Sequence, residues 1–318
     1  MEHTHNCVLD HAHAQPGDGN SSTRLIIALC ITAGYMVVEA VGGYAFNSLA
    51  LLADAGHMLS DVMALGLSWL AIQIGQRSPT DRHTFGFKRT EILAALANGV
   101  ALWAIVAVIF YEAVRRFFQP PAVEGTGMLL VASIGLALNF LIAALLFHAR
   151  EENLNVRSAF IHVIADALGS GGAIVAALVI LATGMNWVDP LVSVLIGFLI
   201  LFSSWELLKE SVHILMEGVP TGLNIPDIEQ TLLEQEGVCC IYDLHVWSIT
   251  SNRPALSAHV VLSDVARDQD EVLRQLNAAL HEKFHIEHTT IQIESSHEMR
   301  SEAEGMICRA GTSCNLLQ

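Results

Sequence analysis

Long apolar runs separated by short polar breaks fill the first two thirds of the chain, and a different rhythm follows. The runs fall at about Arg24–Phe46, Leu49–Gly75, Glu91–Phe117, Gly127–Phe147, Leu154–Thr183 and Trp187–Leu208. Each is near the roughly 20 residues that a helix needs to cross a bilayer. Asn47-Ser48 leaves so short a break that the first two helices are expected as antiparallel neighbours, and Pro120-Pro121 and Gly184 mark other turns. After Ser211 the periods shorten. Ile225–Gln235, with Pro226 near its start, predicts a helix. Val238–Thr250 and Ala255–Ser263 are rich in β-branched and aromatic residues and predict strands. Asp268–Phe284 carries a helical stripe through Val272, Leu276 and Leu280, and Thr289–Glu294 alternates as a strand, with Gln292 and Glu294 on one face. That αββαβ order predicts a small α+β sandwich with its helices on one side of the sheet.

Composition sharpens this picture. Of 318 residues, 53% are hydrophobic and only 15% are charged, too apolar for soluble domains alone. The expected fold class is therefore an α-helical membrane protein, a six-transmembrane-helix bundle followed by an α+β domain. The expected divisions are an arm at 1–23, the bundle at 24–211, the second domain at 212–296 and a flexible tail at 297–318. A net charge of -16 excludes nucleic acid as a partner, since nucleic acid needs a basic footprint. After residue 211 there are 16 Asp/Glu against 6 Lys/Arg, an acidic balance that suits cations. The six cysteines show no disulfide framework, and a reducing compartment is the simpler reading for the second domain. The N-terminus lacks the signal-peptide order and instead carries His3, His5, Cys7, His11 and His13. That tract reads either as a loose metal-collecting arm or as an untethered polar tail.

Charge in the short loops predicts orientation. Arg77, Arg82, Lys88 and Arg89 lie between the second and third runs, and Arg150 and Arg157 lie near the fourth-to-fifth break. The positive-inside rule then puts these loops, both termini and the acidic domain in the cytoplasm. The expected location of the bundle is the plasma (inner) membrane. Arg115 and Arg116 fall at the opposite end and are outnumbered.

Within the apolar runs, His57 and Asp61 stand four apart, and His162 and Asp166 repeat the spacing. On a helix, positions i and i+4 share one face. If the two faces meet, they supply two imidazoles and two carboxylates, a tetrahedral N/O set suited to a Zn²⁺-like ion. The alternative is a His–Asp hydrogen bond that only joins helices. Asp54, one turn before His57, reads as support behind the ligands or as an entrance carboxylate. Glu39 reads as a proton-handling group or as the partner of a polar neighbour. An empty site with two aspartates needs protons for neutrality, and metal entry expels them because ligands must be deprotonated. The expected behaviour is exchange of a divalent metal ion for protons across the lipid bilayer.

The segments SLALLADAGHMLSD, HTFGFKRTEILAA, NLNVRSAFIHVIADALGS, ILMEGVP, DLHVWSIT and TIQIE occur in this order over nearly the whole chain. In that combination the sequence resembles the cation diffusion facilitator family, most closely its bacterial zinc-efflux branch. The resemblance implies that His57, Asp61, His162 and Asp166 form the transport site. It also implies proton antiport, a homodimer, and a ferredoxin-like cytoplasmic domain that binds Zn²⁺ and joins the protomers. His245, His259 and Glu294 fall where relatives hold metal ligands in that domain, and His288 lies near a fourth position. Read from the residues alone, His245 and His259 are either ligands sharing one surface or ordinary solvated strand histidines. Some relatives carry a further site in the loop between the second and third helices. Here only His83 remains, the next position is Phe87 and Asp81 is displaced, so a full site is not expected.

Three functions follow as expectations. The first is proton-coupled efflux of Zn²⁺, with Cd²⁺ and then Co²⁺ or Ni²⁺ as further substrates and no organic cofactor. The second is a membrane metal sensor that signals through the acidic domain. The third is an intramembrane metallohydrolase, which lacks its His-Glu-x-x-His signature here.

Overall fold

The computed structural model describes residues 19–147, 154–250, 253–262, 268–295 and 309–310. The His-rich arm and most of the expected tail lie outside these residues. Six long helices come first: α1 (Gly19–Ala45), α2 (Leu49–Gly75), α3 (Thr90–Phe118), α4 (Gly125–Phe147), α5 (Leu154–Thr183) and α6 (Val188–Leu215). Five of them, α2 to α6, contain stretches long and apolar enough to cross a membrane. α6 continues past the apolar run that ends at Leu208, through Lys209, Glu210 and His213. The chain divides into two compact units, residues 1–63 with 101–203, and residues 64–100 with 204–318.

The first unit is built for lipid. Its core joins Leu51 and Met58 of α2, Val106 of α3, Met128 of α4, Ala176 of α5 and Ile200 of α6. Meanwhile Tyr44 and Phe202 are 85% and 86% exposed, whereas Glu39, Ser48, Ser170 and Asp189 are fully enclosed. Large apolar residues outside and polar residues inside reverse the order of a water-soluble bundle, as a hydrocarbon solvent demands. Close helix approach needs residues without a side chain: a Cβ at Gly135 would overlap the Tyr35 hydroxyl, and one at Gly127 would overlap the Phe46 ring.

The turn from α1 to α2 explains why two residues suffice there. Asn47 takes a left-handed conformation (φ 58°), which Asn tolerates. Ser48 Oγ then accepts from the Leu51 backbone N–H at 3.3 Å, capping α2. From the start of α6, Asp189 accepts from Ser48 Oγ at 2.7 Å and from the backbone N–H groups of Leu49 and Ala50 at 2.7 and 3.2 Å. A buried carboxylate thus meets the positive end of α2. We expect Asp189→Ala to lower stability in detergent by about 3 kcal/mol or more, because buried donors lose a charged acceptor. Thermal unfolding reads this, and an unchanged midpoint would remove Asp189 from the fold's framework. The same corner accounts for the two arginines that break the loop-charge rule. Arg116 donates to Glu112 at 3.0 Å and to the Asn47 carbonyl at 2.8 Å, and Arg115 donates to Glu112 at 3.1 Å.

In the second unit, α7 (Ile225–Leu233), β1 (Val238–Thr250), β2 (Arg253–Leu262), α8 (Gln269–Phe284) and β3 (His288–Ser295) follow in the αββαβ order, and a two-residue β4 (Arg309–Ala310) is added. The sheet order is β3-β2-β1-β4, with β1 antiparallel to β2 and β2 parallel to β3. Ile228 and Leu232 of α7 and Val272, Leu276 and Leu280 of α8 bury against Leu256, Val260 and Leu262 of β2. The α8 residues recur at four-residue spacing, which makes one helical stripe. Asp268 caps α8 by accepting from the Asp270 N–H, and His285 closes it in the left-handed conformation. One reading from sequence is corrected: Cys239 and Cys240, expected outside any disulfide, are both disulfide-bonded.

Candidate metal-transport site

His57 and Asp61 of α2 and His162 and Asp166 of α5 meet in the first unit. His162 Nε2 lies 3.0 Å from Asp61 Oδ2 and 3.7 Å from Asp166 Oδ2. His57 Nε2 lies 3.7 Å from Asp61 Oδ2 and 3.7 Å from Asp166 Oδ1. The two rings stand 5.5 Å apart between centroids at an interplanar angle of 61°, and the Nε2 of each lies within 3.7 Å of both carboxylates. Ligand bonds of 2.0–2.2 Å in a tetrahedron set neighbouring donor atoms about 3.3–3.6 Å apart. The four separations bracket that range. His57, Asp61 and His162 also offer one ligand atom each within 4.8 Å of one another. Asp166 Oδ1 and His57 Nδ1 are buried without a hydrogen-bond partner. A carboxylate oxygen enclosed without a donor is costly in an apolar bundle, and a cation relieves the cost.

Asp54 and Glu39 are buried in the same unit and do not enter this cluster. Asp54 faces α5, where a Cβ at Gly169 would come within 3.3 Å of its Oδ1. Glu39 accepts from the Tyr35 hydroxyl at 3.2 Å. Tyr35 was not singled out from sequence, although its four-residue spacing from Glu39 was a readable signal.

The second unit holds another polar cluster. Glu294 on β3 accepts from Tyr242 Oη at 2.6 Å, from His259 Nδ1–H at 2.7 Å and from Gln292 Nε2 at 2.9 Å. Both its oxygens are therefore engaged, and His259 is left with Nε2 free. That Nε2 lies 4.0 Å from Asp243 Oδ2, while His245 Nε2 lies 3.0 Å from Asp243 Oδ1. Asp243 was missed in the sequence, yet it stands two before His245, the strand spacing for one face. A bulge between Tyr242 and His245, with Asp243 at φ 51°, re-aims the carboxylate. His288 does not join the group. It begins β3, six residues from Glu294 or about 20 Å of extended strand, and its ring meets Phe85 at 5.6 Å. His288 thus stands apart from Glu294 within the chain. His83 stacks on Phe87 at 4.7 Å and bridges back to Thr80, and no metal-binding group includes it among the described residues.

Burial acts to raise the Glu294 carboxyl, but hydrogen bonds from Tyr242 and His259, with the nearby His259 charge, outweigh it and hold its pKa below the usual value. A depressed acid stabilises the fold above its unfolded pKa, and that contribution fades as pH falls through the lower folded value. Stability of the β1–β3 sheet, followed by Trp247 fluorescence, should therefore fall between about pH 5 and pH 3, around the free glutamate pKa of about 4.3. Glu294→Gln should flatten that slope, and an identical slope in the variant would contradict the assignment.

Comparison with known proteins follows the same division. The family model described as the cation efflux transmembrane domain matches residues 25–216. The chain belongs to the cation efflux family. A second model, the cation efflux protein cytoplasmic domain, matches residues 220–296. The transporter is 46% identical over 292 residues to the "Cadmium, cobalt and zinc/H(+)-K(+) antiporter" of Bacillus velezensis, covering 91% of this chain and 93% of that one. It is 44% identical over 296 residues to "Zinc transporter ZitB" of Escherichia coli, covering 92% and 93%. It is 41% identical over 284 residues to "Metal cation efflux system protein CzcD" of Cupriavidus metallidurans, covering 89% of each. A solved structure titled "Metal-bound C-terminal domain of the CzcD transporter from Cuprividus metallidurans" is 40% identical over 23% of this chain and 99% of that one, with a TM-score of 0.22. The protein is thus a multi-pass membrane transporter and not an enzyme, which sets aside the hydrolase and sensor alternatives.

Proposed function

We propose that the transporter moves Zn²⁺ out of the cytoplasm in exchange for protons, through the site formed by His57, Asp61, His162 and Asp166. One observation carries this reading. His162 Nε2 and Asp61 Oδ2 stand at hydrogen-bond distance, 3.0 Å. A proton lies between them whichever partner owns it, because two lone pairs facing each other repel. A metal ion that takes both atoms as ligands must displace that proton. Loading and deprotonation are then one event at one place. The Zn²⁺ assignment is supported by the two imidazoles with two carboxylates and by the names of the relatives. The same donor set admits Cd²⁺, and Co²⁺ or Ni²⁺ as weaker candidates.

In this reading all six long helices cross the plasma membrane and both termini face the cytoplasm. The bundle occupies 24–211 and a ferredoxin-like cytoplasmic domain 212–296, with an arm before and a tail after. Two copies pair as a homodimer through the cytoplasmic domain. The αββαβ order and the match to a cytoplasmic-domain model support this division. In that domain, His245, His259 Nε2 and Asp243 are the metal-facing donors. Glu294 then orients His259 from behind rather than ligating, the carboxylate–histidine arrangement common behind metal-bound imidazoles.

The test is uptake into proteoliposomes that carry an entrapped zinc-sensitive dye, with a panel of divalent ions. Zn²⁺ entry should need an acidic lumen and should alkalinise it. Zinc flux indifferent to the pH gradient would remove proton exchange from the reading.

A further inference from the structure

The second unit holds a pocket of about 870 Å³ that the exchange above does not use. Its walls come from the loop between α2 and α3, from the chain that follows α6 and from β1. Arg82, Lys88 and Arg89 line it, and Glu217 is the one acid in the lining among the described residues. Arg89 donates to Glu217 at 3.2 Å, which neutralises that pair. Arg82 and Lys88 have no ion pair among the described residues. Three cations less one carboxylate leave an excess of two positive charges, in a chain whose net charge is -16. His83 and His245 also line the pocket, but His83 stacks on Phe87 at 4.7 Å and His245 lies 3.0 Å from Asp243. Two unpaired cations beside them repel a metal ion and attract an anion.

The rest of the lining sets the kind of anion. Leu244 and Trp247 of β1 and Phe85 of the loop give it an apolar part, and Phe85 stays 52% exposed although its ring meets His288. Pockets for organic ligands run to roughly 300–1,000 Å³, so a bare inorganic ion would leave most of this one unfilled. A phosphate ester suits both parts. Guanidinium and ammonium groups take the phosphate oxygens, and the organic portion covers the aromatic side chains. Height points to lipid as its source. Lys88 and Arg89 immediately precede α3, whose 29 residues span about 43 Å. A bilayer with its headgroups is about 40–45 Å thick, so the residues just before α3 stand at headgroup level. Basic pockets at that level take the headgroups of acidic phospholipids. A soluble ester offers the same phosphate.

We propose that Arg82 and Lys88, with Phe85 and Trp247, form a binding site for a glycerophosphate ester in the second unit. The experiment uses the full transporter in detergent micelles, with native mass spectrometry to count bound molecules. Phosphatidylglycerol and glycerol 3-phosphate are titrated in separate arms. One probe should bind saturably to the unaltered protein. Arg82→Gln combined with Lys88→Gln should weaken that binding about tenfold or more, the cost of losing charged donors. Phe85→Ala should weaken it to a lesser extent. Arg115→Gln, which removes a charge at the other end of α3, should leave it unchanged. Binding of phosphatidylglycerol alone identifies a lipid headgroup, whereas equal affinity for glycerol 3-phosphate identifies a soluble ester, and both uphold the site. Absence of saturable binding of either probe overturns the proposal. Binding unaltered in the double variant, or weakened as much by Arg115→Gln, also overturns it. Bound molecules are counted without zinc, so failure of the exchange reading would show separately.

Discussion

Asp166→Asn is expected to abolish zinc flux while leaving the transporter folded. The substitution keeps the side chain's size and removes its charge at the point where one carboxylate serves both histidines, at 3.7 Å each. Groups that merely orient metal ligands cost about 10–100-fold when replaced, so a direct ligand should cost about a hundredfold or more. Asp61→Asn should match it, because Asp61 Oδ2 also faces both imidazoles, at 3.0 and 3.7 Å. The pair of variants should be no worse together than either alone, as expected when two residues act on one ion. Initial rates in proteoliposomes measure this, and flux surviving both changes would dissolve the site.

The second large effect concerns which ion is carried. His57→Asp exchanges an imidazole for a shorter carboxylate at a position whose Nε2 now stands 3.7 Å from two carboxylates. The set becomes harder and the chamber wider. Relative transport should move from Zn²⁺ toward larger or harder ions, with the Zn²⁺ to Cd²⁺ ratio falling on the order of tenfold. Competition between the two ions in one flux assay reads the ratio directly. An unchanged ratio would mean that imidazole number does not set selectivity.

How legible these sites were differs residue by residue. The His57–Asp61 and His162–Asp166 spacings were plain, because helical geometry alone puts i and i+4 on one face. The expected bounds of α2 and α5 match the structure to the residue, since sharp polar breaks flank both runs. Asp243 was harder to see. Its position depends on a bulge and a left-handed backbone angle within β1, and neither leaves a composition signal. Glu294 was readable as a charged strand residue, but its engagement by Tyr242, His259 and Gln292 comes from three places on the sheet. His288 looked equivalent to its neighbours because sequence proximity hides about 20 Å of extended strand. Asp189 carried no motif at all. Its partners, Ser48 and the start of α2, lie some 140 positions earlier in the chain.

Hydrophobic length, helical spacing and strand alternation are local properties, so the sequence by itself determined the membrane helices, the αββαβ order and the chemistry offered by each motif. Which motifs face each other is not local. Only packing brought α2 against α5 so that four donors share one space and carried Asp189 to the end of α2. The reason is that those distances arise from side chains filling a common interior, a condition that no single stretch of the chain contains.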